Sequence, residues 1–223
     1  MIDIRRNTVA DIRKTFVSKY KARDFCDNDT VEITGASFIA DEDIIFGKVN
    51  EDYVEKELHW YMSKELNVKG LEPNIPEIWQ DISGKQGEIN SNYGWCIFSR
   101  ENGHQFLNSL LQLKRDKHSR QAVMIYTRPS MHGDAKANGM RDFVCTNTVQ
   151  LMIRNNALEY HVYMRSNDVV FGYNNDLAWH KHVYNMALHI MRKYYKLESK
   201  DIFWNAASLH IYPRHFNLLD KFL

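Results

Sequence analysis

The sequence predicts an α/β (α+β) fold, because amphipathic stretches at helical spacing are interleaved with short runs rich in β-branched and aromatic residues. No internal repeat, low-complexity tract or Pro/Gly-rich linker interrupts the 223 residues, so a single domain over 1–223 is the simplest organisation. A hydrophobic fraction of 44% suffices for a sizeable core.

The first strand is predicted at 31–39 ("VEITGASFI") from its β-branched residues. A helix follows, where Val54, Leu58, Tyr61 and Met62 recur along one face, and a second where Phe106, Leu107, Leu110 and Leu111 do the same. Strands are expected at 121–127 ("QAVMIYT"), 143–153 and 158–166. The last two form a hairpin, since Asn155-Asn156 can adopt the positive φ angles of a two-residue turn. With 154 paired to 157, Cys145 falls opposite Ser166, and Phe143, Val149 and Leu151 share an apolar face with Leu158, Tyr160, Val162 and Met164. Glu159, His161 and Arg165 fall on the other face, so a cysteine sits at a polar strand end beside an arginine. A third helix carries Trp179, Val183, Met186, Ile190 and Tyr194, and a final strand spans 203–212.

The 29 basic and 28 acidic residues leave a net charge of +1, which disfavours sequence-independent nucleic-acid binding. No apolar run has the length of a membrane span and no apolar stretch follows "MIDIRRNTVADIRK", so a soluble protein of the cytoplasm is expected. Cys26, Cys96 and Cys145 are odd in number and lack metal-ligand spacing, which argues against a disulfide framework and a zinc cluster. In "WHKH", His180 and His182 lie two apart on a helix and face different ways, so no metal is expected there.

Three residues stand out chemically. Taken alone, Cys145 reads first as a small buried hydrophobe, but a guanidinium such as that of Arg165 favours its thiolate. Glu57 lies on the apolar stripe of its helix, where a carboxylate is costly unless used or paired. Asp176 ends "FGYNND" at the start of an amphipathic pattern and reads first as a helix cap.

The motifs "ELHW" (57–60), "NYGW" (92–95), "SRQAVM" (119–124), "DFVCTNTVQ" (142–150), "MRSNDVVFGYNND" (164–176) and "SLHIY" (208–212) together resemble the thymidylate synthase superfamily over nearly the whole chain. "GASF", "IYTRPSM", "CTNTVQ" and "MRSNDVVFG" are most similar to its deoxycytidylate-hydroxymethylating branch from T-even-like bacteriophages. The resemblance implies a large mixed twisted sheet with flanking helices, dimerising back to back. It also implies 5,10-methylenetetrahydrofolate as co-substrate, and no metal. Cys145 matches the nucleophile that adds to pyrimidine C6, and Glu57 the acid/base glutamate. Arg165, Ser166 and Asn167 match nucleotide-binding positions, with Arg120 reaching the phosphate from the partner subunit. His210 and Tyr212 match contacts to the sugar 3′-hydroxyl, Trp79, Ile78, Asp168 and Gly172 line the folate pocket, and Tyr93 is a site tyrosine. Gln121 stands where the family often has a second arginine.

Asp176 falls where thymidylate synthases read uracil with an asparagine. A carboxyl instead accepts from the cytosine amine and shares a proton with N3, so the expected reaction converts dCMP to 5-hydroxymethyl-dCMP. Two alternatives stay open: action on dUMP with the same scaffold, and a catalytically silent nucleotide-binding dimer.

Overall fold

A computed structural model describes residues 6–26 and 29–222; the ends of the expected single domain, 1–5 and 223, lie outside the described residues. In chain order the elements are β1 (Asn7–Thr8), α1 (Val9–Lys21), β2 (Val31–Ala40), α2 (Glu51–Ser63), α3 (Glu77–Ile82), α4 (Tyr93–Phe98) and α5 (Gln105–Arg115). There follow β3 (Val123–Ile125), α6 (Met131–Asn138), β4 (Thr146–Arg154), β5 (Ala157–Asp168), α7 (Gly172–Met191), β6 (Ile202–Ile211) and α8 (Asn217–Asp220). The mixed α and β content is as expected, and the six-stranded sheet has the order β1-β2-β6-β5-β4-β3. The chain forms two compact units, one from the segments before Asn50 and after Gln150, the other from Asn50–Gln150.

In the first unit the sheet is mixed: β2 runs antiparallel to β6, while β6 is parallel to β5 and β1 to β2. Asn155 and Asn156 have φ of 50° and 57°, as the two-residue turn requires. Tyr160, Val162 and Met164 of β5 are buried, as are Trp204 and Ala206 of β6. The α7 ring of Tyr173 meets Trp204 edge-on at 5.2 Å, and His180 meets it at 5.5 Å. His180 is fully buried and close to Tyr160 Oη (3.1 Å), and burial pushes its pKa down to about 3, so it is a neutral core residue. The opposite sheet face presents Ser37, His161, Tyr163 and Asn205, with the Arg6 guanidinium 4.1 Å from the centroid of Phe203.

The first unit also contains a helix the sequence reading did not include. Thr8 and Asp11 cap α1 reciprocally, each side chain accepting from the other's backbone N–H.

In the second unit, α4 packs on α2 through a contact only glycine permits: a Cβ on Gly94 would lie 1.7 Å from the Tyr61 carbonyl oxygen. Asn92 caps α4 by accepting from Trp95 N–H (2.8 Å) and donates to the Trp60 and Glu65 carbonyls (2.8 and 3.1 Å). β3 pairs antiparallel with β4, burying Met124 and exposing Val123 and Ile125.

Several boundaries differ from expectation for local reasons. The strand expected at 121–127 shortens to three residues, and the one expected from 143 begins at Thr146. The carboxylate of Asp142 ties the chain there to the loop at 90–91, accepting from Asn90 and Ser91 N–H at 2.7 Å each. On α2 the buried residues are Glu57, Trp60 and Tyr61, whereas Met62 is 41% exposed. On α5, Leu107 and Leu111 are exposed while Ser109 and Leu113 are buried. Tyr194 lies beyond the end of α7 and is exposed.

Candidate active site

Glu57 sits at the centre of the buried α2 face, 5% exposed. Tyr53, one turn earlier, donates its hydroxyl to Glu57 Oε1 (2.7 Å), and Trp79 of α3 donates its indole N–H to Tyr53 Oη (2.8 Å). Tyr61, one turn later, also hydrogen-bonds Glu57. Burial pushes the carboxyl up to about 7, opposed by the hydrogen bonds from Tyr53, Tyr61 and Trp79. A carboxyl of that strength exchanges protons near neutral pH. Tyr93 is 3% exposed and stacks on Tyr61 with centroids 5.1 Å apart, and Trp60 meets Trp79 edge-on. The spacing Tyr53, Glu57, Tyr61 puts all three on one helix face and was visible in the sequence, but only Glu57 was singled out there.

This carboxyl also sets a stability trend. The folded state holds its proton up to about 7 against an ordinary 4.5, so the stabilisation is complete below about 4.5 and lost as pH rises towards 7. The loss is on the order of 3 kcal/mol. Urea denaturation between pH 5 and 8 should therefore show wild-type stability falling more than that of Glu57→Gln; equal slopes would contradict the raised pKa.

Cys145 is half-buried in the bend that precedes β4, not inside a strand as expected. Asp142, three residues earlier, is 4% exposed and anchored further by the Ser91 hydroxyl (2.5 Å). Asn90 adds a donation to the Asp142 carbonyl (3.1 Å) and is itself held by Arg128 (2.8 Å). The segment leading to the cysteine is thus fixed by residues the sequence reading missed. Arg120 follows α5 and is exposed, its carbonyl accepting from Gln150 (2.8 Å), and Ile78 is 61% exposed.

The remaining candidates lie in the first unit. Asp168 does the capping that was expected of Asp176: its Oδ2 accepts from Phe171 N–H (2.8 Å) and Gly172 N–H (3.2 Å) at the start of α7. Asp176 lies more than one turn into that helix, with no acid in the first turn, so the capping role is overturned. Its Oδ2 accepts instead from Asn167 Nδ2 (2.8 Å). Asn167 is 2% exposed and its Oδ1 has no hydrogen-bond partner among the described residues. Gly172 makes room for the pair, since a Cβ there would lie 3.2 Å from Asn167 Nδ2.

Ser166 pairs with Ser208 and Asp168 with His210 across β5 and β6. His210 is 8% exposed, and burial lowers its pKa against the pull of the Asp168 and Glu32 carboxylates, while Arg165 also lowers it. Tyr212 stands edge-on to His210 at 4.9 Å. Among the described residues, no group of three or more His, Cys, Asp or Glu is placed to hold a metal, and no helix is long and apolar enough to cross a membrane.

The thymidylate synthase family profile matches residues 45–223. The chain is similar to the deoxycytidylate 5-hydroxymethyltransferase of Enterobacteria phage T4, with 47% identity over 96% of this chain and 89% of that protein. It is 28% identical to a thymidylate synthase of Buchnera aphidicola subsp. Acyrthosiphon pisum over 74% of this chain and 61% of the relative. Among solved structures, the thermostable thymidylate synthase A of Bacillus subtilis superposes with a TM-score of 0.68 at 22% identity, covering 94% of this chain and 82% of that one.

Proposed function

The chain belongs to the thymidylate synthase family, and from that premise we propose that it transfers a one-carbon unit to C5 of dCMP with addition of water, giving 5-hydroxymethyl-dCMP. The observation that carries the substrate is the Asp176 carboxylate, held by the Asn167 amide. That bond orients the amide and leaves Asn167 Oδ1 without a hydrogen-bond partner among the described residues, and both this oxygen and a carboxylate are acceptors of the kind that a cytosine amine, with protons to give, would meet. Uracil offers a carbonyl at that position and would leave both unmatched.

Methylenetetrahydrofolate, when bound, supplies the one-carbon unit. Residues suited to it are Trp79, exposed apolar Ile78, Asp168 and Gly172. The Cys145 thiolate adds to C6 of the pyrimidine, which turns C5 into a nucleophile that cytosine alone does not provide. After the one-carbon unit is joined to C5, the C5 proton leaves and tetrahydrofolate departs, leaving an exocyclic methylene. Water adds to that carbon, and the Sγ–C6 bond breaks to release Cys145. Glu57, with Tyr53 and Tyr61 on its oxygens, orders the water and relays protons.

Arg165 and Ser166 hold the 5′-phosphate, and His210 and Tyr212 the sugar. The two compact units act as one domain, a reading supported by the family match running through both. The protein works as a homodimer through the exposed face of β2, β6 and β5, with exposed Arg120 completing the partner's phosphate site. It acts on no nucleic acid or membrane, in the cytoplasm of a bacterial host. Competition tests the substrate: given equal dCMP and dUMP with methylenetetrahydrofolate, the protein should consume dCMP, and consumption of dUMP alone would reject the assignment of Asp176.

A further inference from the structure

Three strands of the first unit set polar residues in a row. Glu32 of β2 pairs with His210 of β6, which pairs with Asp168 of β5. Ser208 precedes His210 on the same face of β6; its hydroxyl hydrogen-bonds Glu32 and its oxygen lies 3.2 Å from Nδ1 of His210. Cys26 donates its S–H to Glu32 Oε2 (3.2 Å). Cys26, Glu32 and Ser208 have no part in the reaction described above.

We propose that Glu32, acting through Ser208, is a positioning residue that fixes His210 as the Nδ1–H tautomer and presents a bare Nε2 acceptor to the hydroxyl of the nucleotide sugar. The inference deepens the proposed reaction and rests on it for the identity of the ligand. Proton accounting supports it. The Glu32 carboxyl is held below its usual range, by the Ser208 hydroxyl first and the Cys26 thiol second, and is ionised at neutral pH. An ionised carboxylate only accepts, so Ser208 must give its one proton to Glu32. The Ser208 hydroxyl oxygen then faces Nδ1 as an acceptor, the Ser208 backbone also hydrogen-bonds the ring, and the hydrogen is placed on Nδ1.

The ring has one proton to place, because burial holds His210 neutral. The charged groups that face it are Glu32 from β2 and Asp168 and Arg165 from β5. Nε2 is therefore unprotonated. Such an acceptor suits a sugar hydroxyl, is left unpaired by a sugar lacking one, and meets a 3′-phosphate acceptor to acceptor.

Two readouts on the full-length protein test this. Imidazole nitrogen NMR of the ligand-free protein should place the His210 proton on Nδ1 in the wild type and in Ser208→Thr, and on Nε2 in Ser208→Ala and Glu32→Ala. Binding should favour dCMP over 2′,3′-dideoxycytidine 5′-monophosphate by about tenfold in the wild type and Ser208→Thr, with the preference lost in Ser208→Ala. If Glu32→Ala does not fold, the two Ser208 variants carry the test. A wild-type proton on Nε2, or a tautomer and preference unchanged in Ser208→Ala, would overturn the relay. A proton on Nδ1 in a protein that does not turn over dCMP would overturn the reaction and leave the relay standing.

Discussion

Cys145→Ala should lower dCMP turnover by on the order of ten-thousandfold or more while changing dCMP affinity by less than about threefold. The asymmetry follows from what the side chain is asked to do. In the proposed reaction binding is assigned to the arginines, Asp176, Asn167 and His210, whereas activation of C5 requires a bond to C6 that no other group on the chain is proposed to form. Single-turnover kinetics beside equilibrium titration separates the two quantities. Normal turnover by the alanine variant would refute covalent catalysis, and loss of affinity in proportion to rate would show that the thiol serves binding.

Asp176→Asn should move preference from dCMP towards dUMP, with kcat/KM for dCMP falling on the order of a thousandfold. An asparagine amide donates to uracil O4 and accepts from N3–H, reversing the polarity of the pairing. The exchange also alters the neighbour, because the Asn167 amide now donates to Asp176 Oδ2 and would face an amide in its place. Asn167 can still donate to the new side-chain oxygen, so the fold at the start of α7 should persist. Unchanged selectivity for dCMP would remove Asp176 as the specificity determinant.

The sequence revealed the parts of this molecule governed by short-range rules. Asn155-Asn156 specified its turn because few residues tolerate two consecutive positive φ angles. Glu57 was visible as a misplaced carboxylate on the apolar stripe, and it is buried there with Trp60 and Tyr61, whereas Met62 of the same stripe is exposed. The Thr8–Asp11 cap is a legible helix-start signal, although hydrophobic periodicity alone did not mark α1. Two acids near the start of α7, Asp168 and Asp176, each have the chemistry of a cap, and only backbone geometry shows that Asp168 is the one. Contacts made by register were out of reach: nothing local links Glu32 to Ser208 and His210, or Asp142 to Asn90 and Ser91.

The most direct test of the central claim is the mass of the nucleotide formed from dCMP and methylenetetrahydrofolate by the purified protein. Gain of one CH2O unit on dCMP, with none on dUMP, is the result expected from one-carbon transfer followed by addition of water. Gain of a methyl group on dUMP, or no product from either nucleotide, would contradict it.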